Sequence, residues 1–317
     1  MKVIWSSLRL LLLLMGLSMY SCGGQPSDGS LVMEWQPMRE VNRGLPEGIR
    51  VYEGRSTQVS LQAWYVRVRE ADPHITTRVV VSPDDDRRET AAEFAQRTGA
   101  CVVINGGYFR MDLVPARHVG LLLADNTLIE YPTSSVIRDG IRFPVARAAL
   151  GITAEGQADV AWITGEGETL LELSKPHQNR PGAPDSTFDF QVGTPWLMQD
   201  AVAAGPGLIA DGEIHITDTA EVFFGTSIPQ VHPRTAAGYT RDGDLILLVV
   251  DGRQDESRGV DLKELAAIMK QLGCEEALNL DGGGSSTLVV NHELINRPAG
   301  GTVQREVMSA LAVFCGQ

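Results

Sequence analysis

The segment 277–290, "ALNLDGGGSSTLVV", places one carboxylate, Asp281, at the end of an apolar run and follows it with Gly282, Gly283, Gly284, Ser285 and Ser286. Three consecutive glycines cost backbone entropy, so they call for a reason beyond a slack loop between strands. Such a run can turn its N–H groups into an anion cradle, which serine hydroxyls and guanidinium groups complete. A carboxylate beside a bound anion would repel it unless it served a different atom. The chemistry these residue types suggest is therefore divided: an anion on the Gly/Ser/Arg side and a sugar on the Asp side.

The pattern of apolar run, polar residue and glycine recurs twice. "LLVVDGR" ends in Asp251-Gly252 with Arg253 next, and "VVINGGYF" ends in Asn105-Gly106-Gly107. Hairpin arithmetic adds positive charge. If the chain turns at Asp242-Gly243, Arg234 faces Asp251; if it turns at Asn291-His292, Arg297 faces Ser286. A bulge shifts either pairing by one residue. Taken alone, Arg234 with Asp251 reads equally well as a structural ion pair.

These residues must be positioned by regular elements. "LILLVV" (245–250) is an unbroken apolar run, the mark of a strand buried on both faces. Asp261 and Glu264 have capping-box spacing, Val260 and Leu265 occupy staple positions, and Leu262, Leu265, Ala266, Met269 and Leu272 recur at helical spacing up to Gly273. "ALNL" follows, which gives a βαβ unit whose two strands run parallel. Ligands of such sheets gather at the carboxyl ends of the strands, where both Asp-Gly pairs lie, on one edge of one sheet. A short helix, "ETAAEFAQRTG", feeds "CVVI"; "QVSLQAWYVRV" and "HITTRVVVS" read as strands. Hairpins are expected at Asp125-Asn126 and Asp211-Gly212, and a long surface loop from about Glu166 to Asp200. The fold class expected is α/β (mixed α+β): a central mixed sheet with a βαβ unit, several hairpins and helices packed on the sheet.

The ends and totals bound the rest. "MKVIWSSLRLLLLLMGLSMYSC" has a basic start (Lys2, Arg9), an apolar stretch too short to span a bilayer, and small or polar residues before Cys22. It reads as a lipoprotein signal over 1–22 with Cys22 lipidated, or as an ordinary secretion signal cleaved nearby; either address is extracytoplasmic. A Gly/Ser/Pro-rich tether is expected over 23–47 and one domain over 48–317. The formal charge of −13 argues against nucleic-acid binding. Cys101, Cys274 and Cys315 show no metal spacing and allow at most one disulfide. The six histidines form no ligand pair, so no metal and no cofactor is expected.

"VINGGYF" (103–109), "GPGLI" (205–209), "HPRTAAGYT" (232–240), "LLVVDGR" (247–253), "LNLDGGGSSTLVV" (278–290) and "NRP" (296–298) resemble, in order, the motifs of the phosphodiester glycosidase family. The resemblance implies hydrolysis of a sugar-1-phosphodiester at the anomeric carbon, with a carbohydrate phosphodiester as partner. It implies Asp281 and Asp251 as nucleophile or general base in either order, and Asn105 orienting substrate. Arg234 and Arg297 would hold phosphate with Arg253, Gly106, Gly107 and the Gly282–Ser286 loop. Two other readings use the same residues: a glycosidase acting on ordinary O-glycosides, and a non-catalytic glycan-binding envelope lipoprotein.

Overall fold

The computed structural model describes residues 31–166, 169–187 and 192–316. The expected signal segment and Cys22 lie outside the described residues. From Leu31 the chain forms one compact unit built on three large sheets. Residues 31–47, expected as tether, already belong to it. Met33–Pro37 pairs with Ile49–Ser56, and the short helix Arg39–Arg43 follows.

The largest sheet has eight strands. Its centre runs Gln62–Val68, Leu245–Val250, Arg234–Thr240, Cys274–Asn279 and Gly207–Ala210, each antiparallel to the next. Alternation along one strand sends side chains to opposite faces. Leu245, Leu247 and Val249 therefore enter the core shared by all three sheets, while Ile246, Leu248 and Val250 meet the helix Leu262–Gln271 on the outer face. That helix starts as its residues dictate: Asp261 and Glu264 complete a reciprocal capping box, and Gly273 at φ +83° ends it.

The expected βαβ unit is corrected in one respect. Leu245–Val250 and Cys274–Asn279 do run in the same direction, but Arg234–Thr240 lies between them, antiparallel to both. Among the described residues every strand pairing is antiparallel, so these sheets are not mixed, and strands outweigh the three α-helices found there. The unbroken apolar run of Leu245–Val250 reflects burial on both faces, which the covering helix supplies without parallel pairing.

The five-stranded sheet contains Leu288–Val290, Val102–Asn105 and Ser309–Cys315 as consecutive neighbours. A Cys101–Cys315 disulfide ties two of its strands, and the Thr90-capped helix Ala91–Thr98 covers its outer face. Cys274 is a free, buried thiol. The seven-stranded sheet includes Arg147–Ile152 and Ala158–Glu166. Its strand Thr169–Leu173 falls within the stretch expected as loop; it pairs back onto the preceding strand, Leu171 opposite Thr164 and Leu173 opposite Trp162.

Turns fall where the sequence places them. Asp125-Asn126, Asp211-Gly212 and Asn291-His292 all adopt positive φ between paired strands. The Asp242-Gly243 loop holds one residue more than a two-residue turn, closed by the Thr240 N–H to the Asp244 carbonyl. Arg234 therefore stands opposite Val250, one place from Asp251.

Candidate active site

The three strand ends meet, but from two sheets rather than one. Asp251 and Asp281 follow strands of the eight-stranded sheet, whereas Asn105 ends a strand of the five-stranded sheet. The Gly282–Thr287 segment is the crossover between them. The Asp281 N–H donates to the Gly106 carbonyl at 3.1 Å, and Asn105 Nδ2 donates to the Asp281 carbonyl at 2.7 Å. Asn105 Oδ1 accepts from the Thr235 hydroxyl and the Thr287 N–H. Asn105, expected to orient substrate, is wholly buried, links the two sheets and is not among the residues lining the neighbouring cleft. Gly106 and Gly107 serve close packing: a β-carbon on either would strike Ser309, or Ala203 and His118.

Beside the crossover opens a cleft of about 200 Å³ whose floor is Asp281 and the three glycines. Asp281 Oδ1 accepts from the Gly282 N–H at 2.8 Å. Burial pushes its carboxyl up to about 6, against the opposing pull of the Ser285 hydroxyl, that N–H and the Arg305 guanidinium. A carboxylate so placed is half ionised near pH 6, mostly ionised at neutrality and partly desolvated, which suits attack on carbon or proton abstraction.

The cradle differs from the expected nest of amides. Gly283 N–H donates to the Pro233 carbonyl, Ser285 N–H to the Gly282 carbonyl, and Ser286 N–H to the Gly283 carbonyl. These donors are spent on backbone carbonyls of the loop and of Pro233. The glycines instead make room for cations. Arg253 lies over Gly283, which holds φ +64°, and Arg305 lies over Gly284. Arg305 Nη1 also donates to the Ser285 hydroxyl at 3.3 Å. Arg305 carries no motif and went unrecognised in the sequence; it arrives from the loop before Ser309–Cys315.

His232 and Tyr108 complete the walls and were likewise missed, although both stand inside quoted motifs. His232 Nε2 donates to the Ser227 carbonyl at 2.9 Å, which leaves Nδ1 to accept from Arg253 at 3.2 Å. Burial holds this imidazole below its ordinary range, so it stays neutral and anchors Arg253. The Tyr108 hydroxyl donates to the Gly205 carbonyl at 3.0 Å and accepts from Asn279 Nδ2; burial pushes its phenol up.

Three further candidates are placed as follows. Arg234 lines the cleft, yet it donates to the Val260, Ile228 and Gln230 carbonyls, tying the 228–233 loop to the sheet; it makes no ion pair with Asp251. Asp251 is fully buried and off the cleft, its two oxygens taken by Asn296 Nδ2 at 2.8 Å and the Arg297 N–H at 3.0 Å. The 291–292 turn sets the register the arithmetic required, Val289 opposite Leu294 and Val290 opposite Glu293, but the ladder ends before Ser286 and Arg297. The Arg297 guanidinium points out to the Gly300 carbonyl, and only its backbone serves the site. Ser286 is buried beneath the loop.

The sequence profile of the phosphodiester glycosidase family matches residues 98–314. Bovine N-acetylglucosamine-1-phosphodiester alpha-N-acetylglucosaminidase is 30% identical over 221 residues, 67% of this chain and 35% of that protein. The mouse enzyme of the same name is 29% identical over 256 residues, 78% of this chain and 43% of that one. An uncharacterised protein of the SPbeta prophage in Bacillus subtilis is 32% identical over 227 residues, 71% of this chain and 30% of its own. This chain thus spans less than half the length of these relatives. Among solved structures, the zebrafish N-acetylglucosamine-1-phosphodiester alpha-N-acetylglucosaminidase catalytic domain, auto-inhibited by its pro-peptide, superposes with a TM-score of 0.58 at 22% identity, covering 90% of this chain and 85% of that one. A hypothetical protein from Synechocystis gives 0.59 at 20% identity, covering 85% and 62%. At these identities the structural likeness is one of fold.

Proposed function

Because the chain belongs to the phosphodiester glycosidase family, we propose that it is a hydrolase that cleaves the glycosidic bond of a sugar-1-phosphodiester, with Asp281 acting at the anomeric carbon and Arg253 and Arg305 receiving the phosphate. The observation that carries this reading is the composition of the cleft. One carboxylate shares the cleft with three arginines, of which Arg234 is tied to backbone carbonyls and Arg253 and Arg305 lie over the glycines, and the second acidic candidate, Asp251, is buried off the cleft.

An ordinary O-glycosidase uses two carboxyl groups, because an alkoxide leaving group must be protonated as it departs. A phosphate monoester leaves as a stable anion. Guanidinium groups that stabilise its growing charge can replace the general acid. Water supplies the hydroxyl of the product sugar, the C1–O bond breaks, and the phosphate monoester departs with the bonding electrons. Asp281 either attacks C1 to form a glycosyl ester that water then opens, or takes the proton from the attacking water. Both roles require its ionised form.

The leader sequence and the Cys101–Cys315 disulfide both suit an extracytoplasmic enzyme, and we place it in the bacterial cell envelope, anchored through Cys22. The test is a product screen of the purified protein against sugar-1-phosphodiesters beside alkyl glycosides of the same sugars. Release of free sugar from the phosphodiesters alone is expected. Equal turnover of the alkyl glycosides would sink the single-carboxylate argument.

A further inference from the structure

Arg253 is held in the cleft by an uncharged partner. Among the described residues no ion pair engages it; Glu256, nearby in the chain, pairs with Arg297 instead. Its backbone stands at φ +62°, a left-handed conformation that is costly for a residue other than glycine and that its surroundings must maintain. Reciprocal backbone bonds between Gln254 and Ser257 close the loop that does so. From there the side chain passes over Gly283, and Nη2 donates to His232 Nδ1 at 3.2 Å.

His232 projects from a fixed base, because its own N–H and carbonyl both bond to Val260, at 3.1 and 3.0 Å. Its partners dictate the tautomer. Nε2 lies 2.9 Å from the Ser227 carbonyl, which can only accept, so Nε2 carries the proton. Nδ1 meets a guanidinium, which can only donate, so Nδ1 is bare. Partial burial and the charges of Arg234 and Arg253 oppose a second proton on the ring, against the pull of the Ser227 carbonyl. Both nitrogens are thereby occupied, and neither is left to exchange a proton with a substrate.

We propose that His232 is a positioning residue, a neutral imidazole that aims Arg253 at the substrate phosphate and takes no part in proton transfer itself. A carboxylate in its place would also orient the guanidinium, but it would compensate the charge and compete with the incoming phosphate. An uncharged acceptor fixes the direction and leaves the charge for the ligand. The same ring joins two walls of the cleft, since Ser227 and Arg253 both line it. This proposal rests on the hydrolase reading for its link to turnover but not for the binding of phosphate.

The experiment measures binding of inorganic phosphate to the full protein by calorimetry, with melting curves to establish that each variant is folded. It compares the wild type, His232→Phe, His232→Gln, Arg253→Ala and a double variant carrying His232→Phe and Arg253→Ala. Phosphate affinity is expected to fall about tenfold or more in His232→Phe, the scale of one hydrogen bond to a charged group. Glutamine, whose amide offers one acceptor and one donor, should restore most of it. Because His232 acts through Arg253, the double variant should bind no more weakly than Arg253→Ala. Losses that add in the double variant overturn the proposal, as does wild-type affinity in His232→Phe or no phosphate binding by the wild type. Nitrogen NMR of the wild type needs no variant: His232 should carry its proton on Nε2 alone at neutral pH, and a proton on Nδ1 would refute the bond to Arg253. The kcat/KM for a sugar-1-phosphodiester should follow the same order as phosphate affinity. That order of binding without any turnover would count against the hydrolase reading alone. Turnover lost in His232→Gln despite restored phosphate binding would make the imidazole a proton carrier and overturn this one.

Discussion

The Arg305 guanidinium lies against the backbone of Gly284, so close that a β-carbon there would stand 2.5 Å from its Nη2. Gly284→Ala should therefore push Arg305 away from the cleft, with little effect on the fold because the side chain that must move is long and flexible. We expect kcat/KM on a phosphodiester to drop about a hundredfold to a thousandfold, the scale of losing one charge-stabilising donor. Kinetics of Gly284→Ala beside Arg305→Ala check it, since both should fail alike.

Asp281→Asn should separate activity from stability. Removing the charge should lower turnover by about a thousandfold or more with substrate still bound. The wild-type carboxyl titrates at about 6 in the fold, above its ordinary value of 3.8, so the folded state binds its proton more tightly than the unfolded chain does. Stability from this group is present below 3.8 and is lost as pH rises through 6. The asparagine variant should consequently melt higher than wild type at pH 8 and lose that advantage towards pH 4. Wild-type turnover should fall as pH drops below 6. Melting curves and rate profiles across this range decide both points.

Asp251→Ala should behave as a structural lesion. It strands the Asn296 amide and the Arg297 N–H in a buried site, at about 2–4 kcal/mol for two unmatched donors. Urea denaturation should show that loss, while the folded fraction keeps most of its turnover. A variant of normal stability and no activity would return Asp251 to the chemistry.

Asp261→Ala removes the cap of the helix Leu262–Gln271 and should cost about 1 kcal/mol. Activity per folded molecule should stay within twofold, because this helix covers the outer face of the sheet.

Cys22→Ser should move the protein from the membrane fraction to the soluble extracytoplasmic one. Retention of the variant in the membrane would refute lipidation at this residue.

Much of this protein was legible along the chain because local rules governed it. The capping box at Asp261 fixed where its helix begins, turn pairs such as Asn291-His292 fixed hairpins, and the glycine run marked the loop that follows Asp281. The cleft acid was visible because a polar residue ending a buried run is rare without a purpose. What stayed hidden depended on contacts between distant segments. One extra residue in the Asp242-Gly243 loop moved Arg234 off Asp251, and a register shift of one residue reverses which face a side chain serves. Arg305 reaches Ser285 from 20 positions away and carries no local pattern to announce it. Asn105, Asp251 and Asp281 look alike in sequence, each a polar residue followed by glycine. Only the meeting of two sheets decides that the first two satisfy buried donors and acceptors while the third faces the cleft, since burial and hydrogen-bond partners belong to the assembled structure.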